Sequence, residues 1–112
     1  MAKVRHPISP YAADATMLLG QLLRKSRIER KMSTLNVAER AGISRGLLRR
    51  IEAGDPRCTI GAVFEVAAIV GVKLFDAERG AMSRAIETNR EVMALLPKAV
   101  RARRMQEVKD DF

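Results

Sequence analysis

Tryptophan is absent from this chain, and tyrosine and phenylalanine together number four. Any core must therefore be aliphatic, built from Leu, Ile, Val, Ala and Met. A single cysteine, Cys58, excludes an internal disulfide, and nothing in the chain calls for an oxidising compartment. It reads as a small hydrophobe in a loop. The single histidine, His6, leaves a histidine metal cluster, a Ser-His-Asp triad and a core histidine base all short of parts. No run approaches the roughly eighteen apolar residues of a membrane span, and MAKVRHPISPYAADA lacks the apolar centre of a signal peptide. Phosphate-cradling glycine loops are missing, and the carboxylates are scattered among basic neighbours. These absences lead us to expect a cytoplasmic protein that is not an enzyme and uses no metal or cofactor.

What remains is basic and helix-forming. The 112 residues are 47% hydrophobic, and Ala, Leu, Met, Arg and Glu dominate, with no sustained β-branched alternation. An all-α single domain is the expectation. The net charge is +8 with a pI near 10.6, which points to an acidic polymer: nucleic acid first, an anionic membrane surface second. Charge alone does not choose between them. Fifteen of the 21 basic residues are arginine, whose forked donors suit phosphates and guanine edges.

Residues 1 to 13, with Pro7 and Pro10, read as a flexible arm. Asp14 is expected to cap a helix through ATMLLGQLLRKSRIERK, with Met17, Leu18, Leu22 and Leu23 as its apolar positions. Ser33 is placed to cap a short helix over 34 to 41 that turns Val37, Ala38 and Ala41 inward. Gly42 stops it. Ser44 then caps a third helix, 45 to 53, with Leu47, Leu48 and Ile51 as its apolar set. Gly54 ends that helix and Asp55-Pro56 makes a turn. Thr59 caps a fourth, 60 to 70, carrying Ile60, Val63, Phe64, Ala67 and Val70 and closed by Gly71. A fifth helix is expected from about 77 to 96, ended by Pro97, and residues 97 to 112 are too polar to pack alone.

Two short helices joined by three or four residues form the helix-turn-helix unit. Its turn needs a residue at ease with positive φ (Gly42), a small residue at the crossing (Ala38) and an apolar pin (Ile43). The second helix then protrudes, with Arg45, Gly46, Arg49 and Arg50 on its outer face, where it can enter a major groove about 12 Å wide. A solvated face on an ordinary helical hairpin is the bland alternative for any one arginine. The concurrence of caps, glycine, spacing and charge favours a DNA reader.

From Leu19 to Phe75 the chain resembles the Cro/Xre phage-repressor helix-turn-helix family. The matching residues are Leu19-Gly20, Arg24, Arg27, Ser33, the run Val37-Ala38-Glu39-Arg40-Ala41-Gly42-Ile43-Ser44, Leu48, Ile51-Glu52, Gly54, Ala67 and Gly71-Val72. The resemblance implies a five-helix fold in which 14 to 76 form the DNA-binding domain. It implies that Ser44, Arg45, Gly46 and Arg50 read bases, that Thr34, Arg49 and Arg57 meet phosphates, and that Arg27 and Glu52 form a structural pair. A carboxylate on the inner side of a basic helix needs such a partner, although a surface position for Glu52 stays open. Three positions depart from the family pattern: Thr34 stands in place of a usual Gln, Ala53 in place of a polar residue, and Gly46 has no side chain.

Met82, Ile86, Asn89, Met93 and Leu96 are spaced four, three, four and three, a coiled-coil-like seam with one polar member. It is expected to hold a homodimer on a palindromic operator, with the fourth helix as an alternative contributor and core packing as the bland reading. The segment ALLPKAVR and the terminal Asp110-Asp111-Phe112 resemble the tails of HipB-like antitoxins, which implies a HipA-type kinase toxin as partner. An inert end and a basic arm for extra phosphates compete with that reading. The expected function is a dimeric DNA-binding repressor acting as an antitoxin. The alternatives are a protein-binding toxin inhibitor with secondary DNA contact, a phage or prophage regulator without a toxin, and an amphipathic module on membranes or RNA.

Overall fold

Serine hydroxyls set three of the helix starts. In a computed structural model that describes residues 7–75 and 78–100, Ser9 accepts a hydrogen bond from the Ala12 amide at 3.1 Å. Ser33 accepts from Asn36 at 3.0 Å and Ser44 from Leu47 at 3.0 Å. The helices that follow are α1 (Pro10–Glu29), α2 (Thr34–Ala41) and α3 (Arg45–Glu52). Next come α4 (Ile60–Val70) and α5 (Arg79–Leu95), and no strand occurs among the described residues.

Asp14 is not the first cap: α1 begins four residues earlier, so Pro10 to Ala13, expected in the arm, are helical. Ser9 supplies the acceptor, and Pro10 at the first helical position gives up no hydrogen bond while its ring presets φ. Thr59 precedes α4 but makes no side-chain cap bond. The fifth helix is shorter than expected at both ends. Leu96 already has an extended backbone, as steric conflict with the ring of Pro97 favours.

The chain divides into two units, Met1–Asp76 and Ala77–Phe112. The first has an aliphatic core of Leu23, Val37, Ala38, Leu48, Ile51, Val66, Ala67 and Val70, all but excluded from water. Helix α1 is rotated relative to the stripe read from sequence. Met17, Leu18 and Leu22 are exposed, and the inner face is Leu19, Gly20, Leu23 and Arg27. The cause is a backbone-to-backbone crossing. A Cβ built on Gly20 would meet the carbonyl oxygens of Ile51 and Glu52 at 2.6 and 2.7 Å, so only glycine allows α1 to lie on the end of α3. Gly54, at φ +80°, faces the same crossing; a Cβ there would stand 2.6 Å from the Cα of Met17. Helix α4 likewise turns Val66, Ala67 and Val70 inward and leaves Ile60 and Phe64 exposed. Its C-terminal end is tied to α1 by the Ser26 hydroxyl, which donates to the Val70 carbonyl at 2.5 Å.

In the second unit, α5 has no buried residue. Met82, Ile86, Asn89 and Met93 lie along it, all exposed, and Leu96 follows at its end. Asp110, Asp111 and Phe112 lie outside the described residues.

Candidate nucleic-acid interface

Helix α2 ends because Gly42 takes the left-handed conformation (φ 69°, ψ 31°), letting the Ile43 amide reach back to the Ala38 carbonyl at 3.0 Å. The chain reverses there, Ile43 packs against the core, and Ser44 starts α3. Helix α3 is strongly two-faced. Leu48 and Ile51 are buried and Leu47 is half-buried, while Arg45, Gly46, Arg49 and Arg50 are exposed. The hydrophobic face fixes the rotation of the helix, so the arginines have no inward alternative.

Glu52 closes the inner face and is paired. Arg27 of α1 donates from Nε to Oε2 at 2.6 Å and from Nη2 to Oε1 at 3.1 Å, and its Nη1 reaches the Met32 carbonyl at 2.9 Å. The side chains are 11% and 6% exposed. Both carboxylate oxygens and three guanidinium nitrogens are engaged, which offsets much of the desolvation. The pair holds α3 to α1 and to the chain entering α2 at once.

Arg45 and Arg49 have no carboxylate within ion-pair range among the described residues. Arg50 lies within electrostatic reach of Asp55, whose carboxyl it helps to lower. Arg24, Arg49, Glu52 and Ala53 line an open depression of about 270 Å³ at the end of α3. Thr34 is half-buried at the first position of α2, next to the Ser33 cap. Arg57 sits in the loop between α3 and α4 and does not project alone. Asp55 Oδ1 accepts from the Arg57 amide at 2.9 Å and from Nε at 3.1 Å, and Oδ2 accepts from Nη2 at 3.0 Å. These bonds hold the Asp55 carboxyl at about 2, well below its ordinary value. Burial pushes the Cys58 thiol up, as suits an unreactive filler.

A family model described as a helix-turn-helix domain matches residues 18–82, well over half of the chain. The chain belongs to the helix-turn-helix domain family. A search of curated proteins finds none that matches it. Membership points to a DNA-binding regulator, and the helix-turn-helix match runs from Leu18 within α1 through α4 to the first turn of α5. Among the described residues no helix is long and apolar enough to cross a membrane, and no group of three His, Cys, Asp or Glu could hold a metal ion.

The helix-turn-helix scaffold thus brings Arg45, Gly46, Arg49 and Arg50 to one helix, Ser44 to its N-cap and Thr34 to the start of its neighbour. Two residues beside this face, Asp55 and Arg24, were read from the sequence only as a turn former and a matching position. Asp55 carried a signal: an Asp followed by Pro, with its acceptor two residues upstream of an amide, is a turn in which the carboxylate bonds the backbone. Arg24 carried none, because its place beside Arg49 arises from the α1–α3 crossing.

Proposed function

We propose that this chain is a sequence-specific, dimeric DNA-binding repressor. The observation that supports it is the exposure of Arg45, Arg49 and Arg50 on a helix whose opposite face is sealed into the core. In this reading α3 enters the major groove. Ser44, Arg45, Gly46 and Arg50 face base edges, and Thr34, Arg49 and Arg57 take backbone phosphates. With no side chain on Gly46, discrimination rests on Arg45 and Arg50, whose forks match the O6/N7 edge of guanine. The expected half-sites therefore contain G·C pairs.

Selection from a duplex library randomised over about 20 base pairs, two half-sites a turn apart, tests the reading. The enriched duplex should be a palindrome, preferred over its scrambled counterpart at every salt concentration while both affinities fall steeply with salt. Arg45→Ala or Arg50→Ala should weaken binding by about 1–3 kcal/mol and relax the preference at one base position, whereas Arg49→Ala weakens all sequences alike. Equal binding of selected and scrambled DNA would reduce the protein to a generic polycation.

Dimerisation is assigned to the seam of Met82, Ile86, Asn89, Met93 and Leu96, supported by its spacing and by the exposure of every member. Helix α4 is the second candidate surface: Ile60 is 74% exposed, and Phe64 stacks on Phe75 at 6.0 Å with rings 9° from parallel. Sedimentation of Ile86→Asp and Phe64→Asp variants distinguishes the two. An antitoxin role, with a HipA-type kinase held by the terminal Asp110, Asp111 and Phe112, is supported by the resemblance of the tail alone. Truncation after Leu96 should then spare DNA binding and abolish capture of a HipA-type kinase.

A further inference from the structure

The loop after α3 contains a contact that a simple phosphate-binding arginine does not need. Two backbone bonds close the end of α3: the Gly54 amide donates to Ile51 at 3.0 Å and the Asp55 amide to Arg50 at 2.9 Å. This double closure fixes Asp55 to the last turn of the helix that carries the exposed arginines. Pro56, which follows, has its own φ fixed by its ring. The Asp55 carboxylate takes the Arg57 amide together with Nε and Nη2, so backbone and side chain of Arg57 are gripped by the same two oxygens.

Exposure within the pair is unequal. The Asp55 side chain is 13% exposed and that of Arg57 is 70% exposed. The anion is set into the protein and the cation is offered outward. A guanidinium has five N–H donors on three edges. Asp55 engages the edge made by Nε and Nη2, which leaves the Nη1–Nη2 edge directed away from the carboxylate. That edge matches two oxygens of a phosphodiester. The same bonds hold the Asp55 carboxyl well below the physiological range, so it meets DNA as a carboxylate.

We propose that Asp55 is a positioning residue for DNA recognition: it aims the outer edge of Arg57 at one backbone phosphate and sets the distance of that phosphate from α3. This rests on the DNA-binding reading above. The consequence differs between right and wrong sequences. On the correct site, a pre-oriented fork loses little rotamer freedom and fixes the phosphate while Arg45 and Arg50 meet their bases. On other DNA, alignment has no value, and the carboxylate merely subtracts one charge from the attraction. Asp55 thus raises the ratio of specific to non-specific affinity while lowering non-specific affinity itself.

The test compares the duplex enriched from the randomised library with its scrambled counterpart across a salt series. Asp55→Asn keeps the shape and the acceptor for the Arg57 amide but removes the charge. Its affinity for scrambled DNA should rise roughly three- to tenfold, with a salt slope steeper by about one. Its preference for the selected duplex should fall by roughly three- to tenfold. In an Arg57→Ala background the same change should leave the preference untouched, because Asp55 acts through Arg57. Arg57→Lys, which keeps the charge without the fork, should lose the preference as Asp55→Asn does, and it carries the test should Asp55→Asn fail to fold. An unchanged preference in Asp55→Asn and Arg57→Lys, or a loss that persists without Arg57, overturns the proposal. Absence of any preference in the unsubstituted protein overturns the DNA-binding reading itself, a distinct result.

Discussion

Placing alanine at Gly20 sets two effects of opposite sign against each other. Within a helix, Gly→Ala is worth up to about 1 kcal/mol in stability, because alanine loses less backbone freedom on folding. Here the new Cβ would stand 2.6 Å from the Ile51 carbonyl oxygen, 2.7 Å from that of Glu52 and 2.9 Å from the Gly54 amide nitrogen. All three are backbone atoms and none can rotate aside. Ordinary contact begins near 3.4 Å, so α1 and the end of α3 must part by several tenths of an ångström. Overpacking of this kind costs about 1–3 kcal/mol, and rigid neighbours place it at the upper end. A net loss of about 2 kcal/mol follows, which for a domain of this size lowers Tm by about 8–16 °C. Far-UV circular dichroism melts of the full chain measure it. Gly61→Ala is the control: nothing lies within 4 Å of its Cβ, so the propensity gain should appear alone and raise Tm by a few degrees. A Gly20→Ala protein melting at or above the unsubstituted one would refute the close crossing of α1 on α3.

Removing one member of the Arg27–Glu52 pair should be more damaging than removing both. Glu52→Ala strands a buried guanidinium and is expected to destabilise by about 3–5 kcal/mol in urea denaturation, whereas Arg27→Met combined with Glu52→Leu recovers much of that loss. For Asp55, hydrogen bonding to Arg57 lowers the folded pKa from 3.8 to about 2. Its contribution to stability is therefore complete above about pH 4 and is lost as the pH falls through 2. Carboxyl NMR titration should place the Asp55 midpoint near 2, and Arg57→Ala should return it toward 3.8.

Much of the fold is local and therefore legible in the chain. Ser33 and Ser44 cap through their own third-following amides, and Gly42 reverses the chain through its own φ, so the boundaries of α2 and α3 follow from a few adjacent residues. Once Leu48 and Ile51 lie on one side of so short a helix, Arg45, Arg49 and Arg50 must lie on the other. The outward display of the arginines needs no tertiary information.

Tertiary structure decided what depends on two helices meeting. The apolar residues of α1 fall on more than one face, and periodicity cannot tell which face is buried when Gly20, with no side chain to signal it, sets the contact. The exposure of Ile60 and Phe64 was hidden for a similar reason: α4 is apolar nearly all round, so only its neighbours choose which side is covered. Arg24 joins Arg49 at one depression because α1 crosses α3 there, a relation between residues 25 positions apart that no local pattern encodes. Composition and spacing fix what each segment prefers on its own. Only packing, which acts between segments, fixes how each one is turned.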